Sequence, residues 1–167
     1  AHEVGTVPLL NPDGTSAGMY LWSDVERIVT GDDAMYNLDG QGRLRTAIAV
    51  PTNESSIDRI RNVMGDGTYL DVVVIDTSKG DGKHAVPILK LIKQEFPGLD
   101  VVVGNVSEPE GALKLGLAGA DGVKVGQGPG SICTTRLEIG IVCPQATAVY
   151  NCVEALRGSD VPVCADG

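Results

Sequence analysis

Five short apolar runs, each closed by polar or glycine residues and each followed by a helical pattern, constrain this chain more than anything else in it. The runs are LRTAIAV (44–50), LDVVVIDT (70–77), LDVVVGNV (99–106), DGVKVGQG (121–128) and VPVCADG (161–167). Their length and β-branched content suit strands. Between them, ESSIDRIRNVM places Ile57, Ile60 and Met64 on one helical face, and HAVPILKLIKQEF groups Ile88, Leu89, Ile92 and Phe96. EPEGALKLGLAG and QATAVYNCVEALRG supply two further helical patterns. Pro87 either weakens the second helix or sits in its first turn, where a missing N–H costs little. Strands apolar on both faces, alternating with helices, predict an α/β fold with a parallel sheet covered by helices.

The residues just past each strand carry the chemistry. They are Asp76-Thr77-Ser78, Gly104-Asn105, Gly126-Gln127-Gly128 and Ala165-Asp166-Gly167. An open doubly wound sheet gathers such residues at one switch point. A (β/α)8 TIM barrel gathers them from every strand at one mouth, and this is the predicted architecture. Five strands do not close an eight-stranded ring. The run ending at Gly167 leads to the expectation that the chain is a segment of a longer polypeptide, carrying the central part of the barrel over 36–167.

The opening residues read differently. TVPLLNPDGTSAGMYLWSDVERI predicts a strand, a turn over Asn11-Pro12-Asp13-Gly14, a second strand, and a helix capped by Ser23 with Trp22 packed against it. This small α+β element is too short to hold a core. TGDDAMYNLDGQG, from Thr30, reads as a linker.

The formal charge of −9 disfavours a nucleic-acid or anionic-membrane surface. It leaves phosphate ligands open, because backbone N–H groups bind them without Lys or Arg. No apolar run approaches the roughly 20 residues that cross a bilayer, and no signal peptide is expected. Cys133, Cys143, Cys152 and Cys164 form no C-x-x-C pair and have no neighbouring histidine, so neither zinc nor a disulfide framework is predicted. Reduced thiols in a cytoplasmic protein are the expectation.

The stretch GVKVGQGPGSICTTR, Gly122 to Arg136, brings a strand, a glycine-rich turn and a thiol together. The turn folds tightly because Cβ atoms are absent, and Ser131 with the N–H groups near it suits a phosphate. Cys133 at the rim of that loop, near backbone dipoles, is a candidate thiolate nucleophile. Thr134, Thr135 and Arg136 can add hydrogen bonds or positive potential. Read blandly, the same loop is a tight connection and Cys133 a small packing residue.

GVKVGQGPGSICTTR resembles the active-site loop of the IMP dehydrogenase/GMP reductase family. DVVVIDTSKG, DVVVGNV, AGADGVKV, PQATAVY and PVCADG resemble the same family, in its order and at its spacing. The hairpin and helix resemble the tail of a cystathionine-β-synthase-type (CBS) repeat, which would occupy 1–35 with the linker. The resemblance implies that Cys133 attacks C2 of a purine nucleotide, with Thr135 beside the reacting centre. It implies that Ser131, Gly130 and Gly167 bind the nucleotide, with Asp166 on the ribose hydroxyls. Asp76, Thr77, Ser78, Asn105 and Gly126 would face NAD. Backbone carbonyls of Gly126, Gly128 and Cys133 would hold K+. The implied partners are a purine nucleoside monophosphate and further copies of the chain, as a tetramer or octamer, with no membrane and no nucleic acid.

Within that family two reactions share the thiol. IMP dehydrogenase passes hydride from IMP to NAD, and GMP reductase takes hydride from NADPH and expels ammonia. Thr77-Ser78 and the CBS-like tail favour the dehydrogenase. A barrel that binds nucleotide without turnover is the third reading. Gln127 stands where the family usually has an aliphatic residue, Lys79 where dehydrogenases usually have His or Gln, and Glu138 adds charge beside the thiol loop. His84 reads as a solvated helix-end residue. Cys143, Cys152 and Cys164 read as packing residues.

Overall fold

A computed structural model describes residues 5–31, 37–65, 67, 69–140 and 143–167. They form two compact units, one ending at Leu44 and one running from Arg45 to Gly167.

In the first unit, β1 (Thr6–Leu10) and β2 (Ser16–Leu21) pair antiparallel, and α1 (Trp22–Thr30) follows directly. The turn between the strands is where the sequence places it. The Asp13 carboxylate closes it by accepting from the Thr15 N–H at 2.9 Å and the Thr15 hydroxyl at 2.6 Å. The helix start differs from expectation. It begins at Trp22 with Leu21 at the cap and no side-chain cap bond, so Ser23 lies inside the helix. Trp22 is 62 % exposed and does not pack against α1. Helical side chains lean towards the N-terminus, so the first residue has no preceding turn to lie on. α1 buries none of its residues, as suits an element too small to enclose a core. At the end of the predicted linker, the Arg43 guanidinium donates to the Asp39 carboxylate at 2.7 Å, and Leu38 bridges to Leu44. Residues 32–36 of that linker lie outside the described residues, as does His2.

In the second unit, β3 (Ala47–Val50), β4 (Val72–Asp76), β5 (Asp100–Val106), β6 (Gly122–Val125) and β7 (Val163–Ala165) form one parallel sheet in chain order. The crossovers run through α2 (Ser55–Gly65), α3 (Ala85–Glu95), α4 (Pro109–Leu117), and α5 (Thr135–Ile139) with α6 (Gln145–Ala155). All five predicted strands are present, each shorter than its apolar run; α5 has no counterpart in the sequence reading. Chain-order parallel pairing leaves no switch point, and the sheet is a five-stranded part of a (β/α)8 barrel.

Strands β4, β5 and β6 bury one face completely. Val73, Ile75, Val101, Val103, Val123 and Val125 are inaccessible and join one core with Ile57, Ile60, Ile88, Leu89, Ile92, Leu115 and Cys152 from the helices. The alternate residues Val72, Val74 and Val102 are only half-buried, so the strands are not equally covered on both faces. Met64 departs from its predicted face. It lies in the last turn of α2, beyond the buried Ile57 and Ile60, and is 41 % exposed. Pro87 is the third residue of α3, which fits the first-turn alternative, and His84 is exposed at the cap. Of the three packing cysteines, Cys152 is buried and Cys143 half-buried against the core, but Cys164 is exposed on the edge strand β7. On the edge away from the strand ends, Asp121 accepts from the Val101 N–H at 2.7 Å and from Lys93 Nζ at 2.8 Å, tying α3 to the sheet.

Leu89→Ala in the intact chain is expected to lower stability by about 2–5 kcal/mol in a denaturant titration, because a fully buried side chain is replaced by a cavity. Met64→Ala is expected to cost less than about 1 kcal/mol. Equal costs at the two positions would contradict this account of the core.

Candidate active site

Strand register sets up the site. Asp76, Gly104, Lys124 and Cys164 are direct neighbours across β4, β5, β6 and β7. Glycine in that row lets the Lys124 ammonium reach across β5 to the Asp76 carboxylate at 3.1 Å. A Cβ on Gly104 would lie 2.5 Å from both the Lys124 Cβ and its carbonyl oxygen, so no other residue fits. On its other side Lys124 meets the Asp166 carboxylate, also at 3.1 Å. Burial works against the Lys124 charge, but hydrogen bonds to Asp166 and Asp76 outweigh it and raise its pKa. Asp166 is held below the usual carboxylate range by the Asn105 amide, which donates to it at 2.8 Å, and then by Lys124.

The neighbouring loops are tied to this charge cluster. Asn105 Nδ2 also donates to the Gly126 carbonyl at 2.6 Å. Gln145 Nε2, at the start of α6, donates to the carbonyls of Val125 at 3.0 Å and Asp166 at 3.2 Å. The tips of β6 and β7 therefore sit very close together. Gly126 has φ +143°, and a Cβ there would come within 2.2 Å of the Asp166 carbonyl oxygen.

The glycine-rich loop leaves β6 and returns into α5. Arg136 clamps it, donating from Nε to the Gln127 carbonyl at 3.1 Å and from Nη2 to the Cys143 carbonyl at 2.8 Å. The Cys133 N–H closes a turn on the Gly130 carbonyl at 3.0 Å, leaving the thiol exposed. The Thr135 hydroxyl lies 3.1 Å from Sγ, where it can donate to a thiolate. That hydroxyl, then the Thr135 N–H and the Arg136 charge, hold the Cys133 thiol below the ordinary thiol range.

A cavity of about 360 Å³ lies between these parts. Asp76, Thr77 and Ser78 border it from the end of β4, and Asn105 from β5. Gly126, Gly128 and Gly130 border it from the loop, Cys133 and Thr135 from beyond the loop, and Asp166 and Gly167 from β7. Ser131, next to Gly130 on the same turn, is exposed and is not among the lining residues. Lys124 does line it, although it was not singled out in the sequence. Its signal was a single charge between two valines in an otherwise apolar strand. Arg136 supplies hydrogen bonds at the loop, as its place beside the thiol suggested, whereas Gln145 stands outside any pattern that would have marked it. Among the described residues no group of three His, Cys, Asp or Glu side chains could hold a metal ion, so a cation here would depend on backbone carbonyls.

Residues 22–167 match the model of the IMP dehydrogenase / GMP reductase domain. The chain belongs to this family. It is 39 % identical over 166 residues to the inosine-5'-monophosphate dehydrogenases of Aquifex aeolicus, Halalkalibacterium halodurans and Chlorobaculum tepidum, covering 99 % of this chain and 33 % of each relative. The chain thus spans about a third of the length of the curated relatives it matches. The cavity brings together the exposed, hydrogen-bonded Cys133 thiol and the carboxylates of Asp76 and Asp166, which Lys124 bridges. None of the helices is long and apolar enough to cross a membrane among the described residues.

Thr135→Val is expected to move the pH midpoint for iodoacetamide alkylation of Cys133 upwards, because the thiolate loses its hydroxyl donor. Peptide-resolved mass spectrometry measures this, with exposed Cys164 as the internal reference. An unmoved midpoint would show that the hydroxyl does not tune the thiol.

Proposed function

We propose that this domain is the central part of a purine-nucleotide oxidoreductase, an IMP dehydrogenase that converts IMP to XMP with NAD through a covalent bond between Cys133 and purine C2. The observation that carries this reading is that the exposed, acidified thiol of Cys133 lines the same cavity as the ionised Asp166.

In this reading the Gly130 and Gly167 N–H groups, with Ser131, hold the 5′-phosphate, and Asp166 accepts from the ribose hydroxyls. Asn105 and Lys124 keep Asp166 charged and fixed for that role. The Cys133 thiolate adds to C2 of the base and makes that carbon tetrahedral, so that loss of hydride restores conjugation. NAD, when bound, supplies the hydride acceptor. Asp76, Thr77, Ser78 and Asn105 would hold it; they face the cavity with carboxylate, hydroxyl and amide groups suited to ribose and carboxamide. Water then adds at C2, its oxygen stays on the product, and sulfur leaves as the Cys133 thiol. K+ is assigned to the carbonyls of Gly126, Gly128 and Cys133. The Gly126 oxygen shares one lone pair with Asn105 and keeps the other. The hairpin and helix are read as the end of a CBS repeat over 1–35, and the whole protein as a cytoplasmic homo-oligomer.

Mixing the full-length protein with a 6-chloropurine ribotide is expected to place one purine adduct on Cys133, seen by mass spectrometry and absent in Cys133→Ala. NADH should form from IMP. NADPH consumption with GMP, and no NADH from IMP, would select GMP reductase instead. An unmodified Cys133 in a protein that still binds the nucleotide would overturn both readings.

A further inference from the structure

Among the described residues of the second unit, Gln127 is the largest buried polar side chain, at 6 % exposure, and it borders two cavities. One is the thiol cavity. The other, about 210 Å³, is bordered by Lys79, Ser107 and Glu108. Gln127 spends its carboxamide on loops it does not belong to. Its Nε2 donates to the Ser78 carbonyl after β4 and, at 3.3 Å, to the Asn105 carbonyl on β5. Its Oε1 accepts from the Ser107 hydroxyl at 2.6 Å, and Ser107 is itself 3 % exposed. Its own carbonyl takes the Arg136 clamp. One side chain thus joins the ends of β4, β5 and β6. An apolar residue would keep only the backbone bond to Arg136 and could make none of the side-chain bonds.

We propose that Gln127 is a positioning residue that couples the thiol loop to the dinucleotide side of the cavity, holding Ser78 and Asn105 at a fixed spacing from Cys133. The assignment of a dinucleotide to that side rests on the IMP dehydrogenase reading. The coupling of the loops rests on the hydrogen bonds alone. Without the carboxamide, the buried Ser107 hydroxyl would lose its partner and the part-buried Ser78 carbonyl its donor, and the two loops would part to reach water.

The test uses Gln127→Met in the full-length protein, which keeps the shape and removes the donor and acceptor. The amides of Thr77, Gly80 and Asn105, which bond between the loops, are expected to exchange about tenfold faster, with Val73 and Ile75 in the sheet unchanged. KM for NAD is expected to rise about tenfold, while KM for IMP and the yield of the Cys133 adduct stay within about twofold. Ser107→Ala should give part of the effect alone and add nothing to Gln127→Met. Unchanged exchange at the three loop amides overturns the proposal. So does a KM for IMP that rises with that for NAD, since that is general loosening. A wild-type protein that forms no NADH from IMP removes the dehydrogenase reading, and the exchange result then decides by itself whether Gln127 holds the loops.

Discussion

Parallel pairing in chain order is the constraint on which this site depends. Each strand can meet the next only after a helix has carried the chain back to the same starting edge, so every strand ends on the same side. Four short polar segments, far apart in the chain, are thereby delivered to one rim. Nothing in the individual segments requires them to meet. The hydrophobic face beneath them does, because Val73, Ile75, Val101, Val103, Val123 and Val125 can be buried against the helices in only one register.

That register places an ammonium between two carboxylates. Lys124 is mostly buried, and a buried charge without a partner is costly enough to neutralise itself or unfold the site. With Asp76 on one side and Asp166 on the other it stays charged, and it holds both acids in place. The glycine at 104 is the steric condition for this, and the glycine at 126 is the condition for the close approach of β6 to β7. The thiol loop is a separate construction. Its shape comes from the Arg136 clamp and its reactivity from Thr135, which lies two residues beyond the thiol. Charge cluster and thiol loop are joined through Asn105, Gln127 and Gln145, whose amides each reach a carbonyl on another strand end.

Much of the fold was legible in the sequence because strand and helix patterns are local. The five apolar runs and the four long helices of the second unit needed only periodicity and glycine punctuation to be seen. The thiol loop was legible for the same reason, as a compact motif in fifteen consecutive residues. What was misjudged was exposure. Trp22, Met64 and Cys164 lie at a helix start, in a last helical turn and on an edge strand, where they are exposed, and no local pattern reports that. Lys124 and Gln127 were undervalued because their neighbours in sequence are valines and glycines, while the groups they bond are on other strands.

By itself, the amino-acid sequence determined the element types, their alternation, the bare turn with its cysteine, and the family to which the chain belongs. The elements and the turn follow from composition and spacing over short stretches, and the family from the resemblance of several motifs. Only the tertiary structure decided that Lys124 bridges Asp76 and Asp166, that Asn105 reaches Asp166 across a separation of 61 residues, and that Gln127 is buried between three strand ends. These bonds exist because sheet register converts distance along the chain into contact across it, and register is settled by the burial of the whole sheet.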